Sequence, residues 1–283
     1  MKNKFIVIKI SVLLVFLAAL VGCVKSVDKA EILPAVTYLG GNNTILKVAK
    51  ELESVGLSNI DEFTMWAQDF AKTAGEKAKL KDEWGDPDTL TFDSFETMDG
   101  WENAHDFSDA DCRMTAFLLL DGILKSEKVD KTYSGTYLMF DMEAIDNVAR
   151  YKTLKKKRQL FTTVFGDKII EDGQNPKDKF GQIWEEYGIT VDNDRVSLLS
   201  VVVYDPDFKQ TFVGHTGVLV RNKDNLLFVE KIAFEQPFQV TRVNNIDELL
   251  DILSKRGEYF GIEGDPGPYV YLNGEFYREL KKS

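Results

Sequence analysis

The sequence predicts an α+β fold, with an N-terminal helical region followed by an antiparallel sheet. Two observations carry that prediction. From residue 43 to about 81, apolar residues recur at helical spacing. Beyond Val196, three β-branched and aromatic runs follow one another with turn residues between them. Helices first and strands afterwards, without alternating βαβ units, is the order of an α+β chain. A chain of 283 residues can bury one sizeable core. The expected division is a signal peptide over 1–22, a tether over 23–36, and one α+β domain over 37–283 with a helical N-terminal lobe.

Within the helical part, Thr44 can cap the run over 45–52, and residues 60–74 repeat through Phe63, Trp66, Ala67 and Phe70. Residues 82–107 are rich in Gly, Pro, Asp and Asn and read as an irregular loop feeding a helix at Cys112. A third helical stretch is expected over roughly 141–160. The strands are expected at 197–204, 211–221 and 226–234, with Asp205-Pro206-Asp207 and the turn 222–225 between them. A helix capped by Asn245 follows over 246–253, and a last hairpin is expected around Asn273-Gly274. No repeat, low-complexity tract or glycine-rich phosphate loop is present. The basic cluster Lys155-Lys156-Lys157-Arg158 reads as a solvated helix face.

The N-terminus carries a location signal. Lys2, Lys4 and Lys9 precede an apolar run over 10–21 that is too short for a ~20-residue membrane span. It ends in Leu20-Val21-Gly22-Cys23, the pattern cut before a lipidated cysteine. Cys23 is therefore the expected lipid attachment point, placing the domain on the outer face of a cell membrane; an uncleaved apolar anchor is the alternative. Loss of Lys2, Lys4 and Lys9 takes the formal charge from −11 to −14. So acidic a chain excludes nucleic acid as an expected partner, because that binding needs lysine and arginine against phosphates.

With Cys23 lipidated, Cys112 is a thiol without an intramolecular partner. Ser108 as N-cap and Asp111 three residues on would put Cys112 in the first helical turn, where the dipole favours a thiolate. Asp109 and Asp111 oppose that. Cys112, Ala116, Leu119 and Ile123 also share one helical face, so a simply buried thiol competes with a reactive one. On the strands, the 222–225 turn sets Arg221 opposite Leu226 and His215 opposite Ile232. Glu230 then becomes the diagonal neighbour of His215 on the same face. A carboxylate there can hold an imidazole as general base for a thiol, or be a solvent-facing residue beside a structural histidine. His105 is the only other imidazole. No close-spaced ligand pair marks a metal site, so neither metal nor cofactor is expected.

The order of Cys112 at a helix start, His215 entering a strand and a polar residue on the next strand resembles the papain-like cysteine peptidases, in particular the NlpC-type amidases. That resemblance implies a papain-like architecture, with Cys112 as nucleophile, His215 as base and Glu230 as orienting residue. Gln236 is the spare third residue and Asn103 a possible oxyanion donor. It also implies a wall peptide as substrate. The segments Cys112-Arg113-Met114-Thr115-Ala116-Phe117, 213–219 and 227–237 resemble a family of bacterial lipoproteins known only as a domain of unknown function. Two functions are expected from these readings. One is a lipid-anchored thiol hydrolase of amide bonds; the other is a non-catalytic binding lipoprotein on a papain-like fold.

Overall fold

The structure, a computed structural model, describes residues 32–261 and 265–282. The signal peptide and Cys23 lie outside the described residues. The chain enters through β1 (Ala35–Thr37), which already pairs with the sheet, so the expected tether gives way to the domain before residue 36. Helices α1 (Asn42–Ser54), α2 (Ile60–Ala74), α3 (Ser94–Ala104) and α4 (Cys112–Leu119) follow. A short strand β2 (Leu124–Lys125) precedes α5 (Met139–Asn147), α6 (Lys152–Lys155) and α7 (Arg158–Phe165). Then come β3 (Lys168–Ile169), α8 (Pro176–Tyr187) and β4 (Thr190–Val191). The sheet strands β5 (Val196–Asp205), β6 (Gln210–Arg221), β7 (Leu226–Lys231) and β8 (Phe238–Val243) lead to α9 (Ile246–Leu253). The hairpin of β9 (Tyr269–Leu272) and β10 (Glu275–Glu279) ends the fold.

The main sheet runs β1-β8-β7-β6-β5-β9-β10, antiparallel throughout, with β3 added beside β6. Mixed helices and an antiparallel sheet make this an α+β domain. Because side chains alternate along a strand, the sheet has two distinct apolar faces. Leu198, Val202, Val218, Val220, Leu227 and Val229 face α1, α2 and α4, meeting Leu52, Phe63, Phe70 and Leu118 in the larger core. Leu199, Val201, Leu219, Phe228 and Val243 face the other way, onto Leu249, Leu250 and Leu253 of α9. Each such side chain contributes about 1.5–3 kcal/mol on full burial, which is why both faces are covered.

Strand β6 is not in one register. Val201 lies opposite His215 but Val202 lies opposite Val213, so Gly214 is the extra residue of a bulge. Val213 therefore faces the α1–α2–α4 side, whereas His215, two positions on, faces α9. The turn places Arg221 opposite Leu226 as expected, but the β6–β7 ladder ends at Val218 opposite Val229, so the expected His215–Ile232 pairing is not made.

Several local features differ from expectation for identifiable reasons. Residues 94–104 are helical within the supposed loop, because Asp93 accepts the Glu96 N–H as a cap and Thr97 and Trp101 are buried on one side. Gly100 permits that packing: a Cβ there would sit 2.4 Å from the Thr73 carbonyl oxygen. The start of α1 is capped from a distance: the Asp82 carboxylate accepts the N–H groups of Asn43 and Thr44 at 2.9 and 2.7 Å. The stretch over 141–160 is broken into short helices. Helix α8 carries an Asn175 cap, Pro176 in its first turn and Gly188 in the left-handed conformation after its end. Asn245 caps α9, and Asn273 and Gly274, both with positive φ, turn the last hairpin. Among the described residues no helix is long and apolar enough to cross a membrane.

Candidate functional site

Cys112 is the first residue of α4. The cap is Asp111, not Ser108: its carboxylate accepts the Met114 N–H at 2.8 Å. The helix dipole therefore favours a thiolate, but its surroundings oppose it. The side chain is buried, the residue being 5% exposed. Burial first, and then the carboxylates of Asp111 and Asp141, push the thiol up to about 12, against the pull of Arg113 and a hydrogen bond from the Thr216 backbone. Arg113 is itself taken up by carboxylates. Its Nε and Nη2 donate to Asp141, each at 2.8 Å, its Nη2 lies 2.7 Å from Asp111, and its Nη1 donates to the Val213 carbonyl. Burial, with the neighbouring Asp111 charge, also raises Asp141, to about 8.

His215 and Glu230 do meet. Nε2 of His215 stands 2.5 Å from Oε2 of Glu230, with the two residues 2% and 0% exposed. Glu230 carries further support: Arg256 donates to both its oxygens at 2.6 and 2.7 Å, and Gln239 donates to Oε1 at 2.9 Å. Burial alone would raise the Glu230 pKa, but the Arg256 charge and the hydrogen bonds from Arg256 and His215 outweigh it and hold it at about 2. Tyr259 covers the imidazole, ring centroids 5.4 Å apart, and its hydroxyl accepts from Arg256 at 2.7 Å.

No hydrogen bond joins the thiol to this pair. His215 projects with Phe228 and Tyr259 into the core under α9, whereas α4 packs on the opposite face of the sheet. The Thr216 side chain, on the α4 side, bonds the Leu199 carbonyl, and its backbone N–H serves the Cys112 sulfur. The sulfur thus lies against the backbone of the residue next to His215, and no hydrogen bond links sulfur and ring. Both groups are sealed beneath packed side chains.

The other expected residues are dispersed. Asn103 is exposed on α3 and donates to the Asp99 carbonyl. Gln236 lies in the β7–β8 turn, where its amide reaches the Ser94 carbonyl at 3.4 Å and its carbonyl accepts from Lys231. His105 packs on Trp101 at 4.1 Å and lies 3.3 Å from Asp69. Among the described residues, no group of three or more His, Cys, Asp or Glu side chains could hold a metal ion. Sequence reasoning missed Arg256, Tyr259 and Gln239. Gln239 could have been found, since β8 sets it opposite Glu230, but nothing in the sequence ties Arg256 to a strand 26 positions earlier.

These features define an α+β domain with helices on both faces of an antiparallel sheet and a buried imidazole–carboxylate–guanidinium network. The chain belongs to the family described as a domain of unknown function (DUF4300), which matches residues 36–276. No curated protein and no solved structure matches it.

Proposed function

We propose that this chain is a lipid-anchored, extracytoplasmic binding domain that recognises a partner or ligand without turnover. Cys23 is the attachment point to the membrane, and the helix-against-sheet plan is that of a papain-like domain put to non-catalytic use. The observation that carries this reading is the burial of the Cys112 thiol, which makes no hydrogen bond to His215. A nucleophile and its base must come within about one hydrogen bond of each other, and a thiol must ionise to attack. Here the thiol is held neutral in the interior. A second reading, amide hydrolysis of wall peptides by Cys112, His215 and Glu230, is favoured only by the carboxylate-held imidazole.

The test is chemical. At pH 7 a thiol raised from 9.0 to about 12 has roughly 10³-fold less thiolate than a free cysteine. Maleimide should therefore leave the Cys112 peptide unmodified in the folded chain, read by mass spectrometry, and modify it in denaturant. Wall fragments incubated with the chain and with Cys112→Ser should give the same products. Amide cleavage that disappears in Cys112→Ser would overturn the binding reading in favour of hydrolysis.

A further inference from the structure

Strand β7 ends in one half of an ion pair that the fold seals in completely. Nζ of Lys231 stands 2.8 Å from Oδ2 of Asp109, and both side chains are fully buried. Phe70 and Phe238 wall the lysine nitrogen, with ring centroids 3.9 and 4.8 Å away. The Gln236 carbonyl accepts one of its N–H groups. Among the described residues, neither oxygen of Asp109 meets a donor besides Lys231. Glu230, one position earlier on the strand, is by contrast held by Arg256, Gln239 and His215. A buried ion pair offsets its desolvation only when further hydrogen bonds satisfy both partners. As an ion pair, Lys231 and Asp109 therefore form a costly resting state.

The enclosure also favours the neutral partners. Burial lowers the Lys231 pKa, against the Asp109 charge that holds it up. A proton passed across the 2.8 Å contact leaves a free amine beside a carboxylic acid. A desolvated lysine amine is a nucleophile, and its target here is fixed. Cγ of Asp109 lies one C–O bond beyond Oδ2, near the roughly 3–3.5 Å at which reacting atoms meet. Groups held in this way react as if at about 10⁵–10⁸ M. A further carboxyl stands beside the pair, since Oε1 of Glu235 accepts the Asp109 N–H at 3.3 Å. Burial raises the Glu235 pKa, which suits a group that passes protons. Its backbone φ is +52°, uncommon for a glutamate, and such strain is kept where the position of a side chain matters.

We propose that Lys231 and Asp109 close an intramolecular isopeptide bond. Nζ attacks Cγ, the Nζ–Cγ bond forms and one Cγ–Oδ bond breaks. The departing oxygen takes two of the three ammonium protons and leaves as water; the third stays on the amide nitrogen. Glu235 relays a proton from the nitrogen to the departing oxygen. The product amide is neutral, so both enclosed charges disappear, and no oxidant or cofactor is consumed. The geometry described is that of the pair before it is joined. Closure fastens the entry of α4 to the end of β7 by a covalent bond. This inference goes beyond the binding reading and does not depend on it.

The experiment is mass spectrometry of the full chain purified in detergent, first intact and then after denaturation and trypsin. The intact chain should be lighter than its sequence by one water. Trypsin should fail to cut after Lys231 and should release a branched peptide that joins residues 82–113 to residues 224–242. Both signatures should vanish in Asp109→Ala, and Glu235→Gln should leave part of the chain unlinked. Should Asp109→Ala not fold, the peptide map of the unaltered chain decides alone. Full mass with complete cleavage after Lys231 would overturn the proposal. So would a lost water that maps to an imide at Asp99-Gly100 instead of the branched peptide. A Glu235→Gln chain linked as completely as the unaltered one would overturn the proton relay.

Discussion

Arg256 grips Glu230 with both terminal guanidinium nitrogens, at 2.6 and 2.7 Å from separate carboxylate oxygens. The contact ties the segment just after α9 to β7, beside Tyr259, with the Glu230 side chain fully buried and that of Arg256 16% exposed. A buried carboxylate is hard to leave without its counter-charge.

Arg256→Ala should therefore destabilise the domain by about 3–5 kcal/mol, because Glu230 would remain buried with its main counter-charge gone. The pair of changes Arg256→Met and Glu230→Leu should recover most of that loss. Urea unfolding of the three proteins measures both effects. A single-variant loss under about 1 kcal/mol would show that the pair contributes little net energy.

Stability should fall in acid through this same carboxylate. Glu230 is held at about 2 against an ordinary value of 4.5. A folded-state pKa below the unfolded one means that the unfolded chain binds the proton first. The stabilisation is thus present above pH 4.5 and lost as the pH falls towards 2. The shift corresponds to roughly 3 kcal/mol. In Glu230→Gln, the slope of unfolding free energy against pH over this window should flatten. An unchanged slope would place the acid sensitivity elsewhere.

Gly100→Ala should cost about 1–3 kcal/mol, although alanine is intrinsically the better helix former by about 1 kcal/mol. The added methyl would meet the Thr73 carbonyl, backbone that cannot rotate aside, so α3 would have to move off the end of α2. A thermal melt suffices, and an increase in melting temperature would mean that the two helices can separate freely.

What could be read from the sequence was local. The Asn273-Gly274 turn, the Asn245 cap and the 221–226 register follow from residues a few positions apart, and the last of these places His215 and Glu230 on one face. The bulge at Gly214 and the face on which α4 lies depend on tertiary packing. Alternation counted from the helix-facing Val213 would set His215 beside α4; the extra residue puts it on the other side. Helix α3 stayed hidden for a similar reason, since Asp93, Asp99 and Gly100 look like loop residues until Thr97 and Trp101 are seen packed.

Lys231, at the end of β7, has its ammonium 2.8 Å from Asp109, three positions before Cys112, and 3.9 Å from the centre of the Phe70 ring. Both ionic side chains are fully enclosed. Lifting the entry to α4 would strand two opposite charges among aromatic rings, so the thiol is guarded by electrostatics as well as by shape. Any fluctuation that uncovers the sulfur must loosen the strand terminus with it, which couples access to this cysteine to partial unfolding of the sheet.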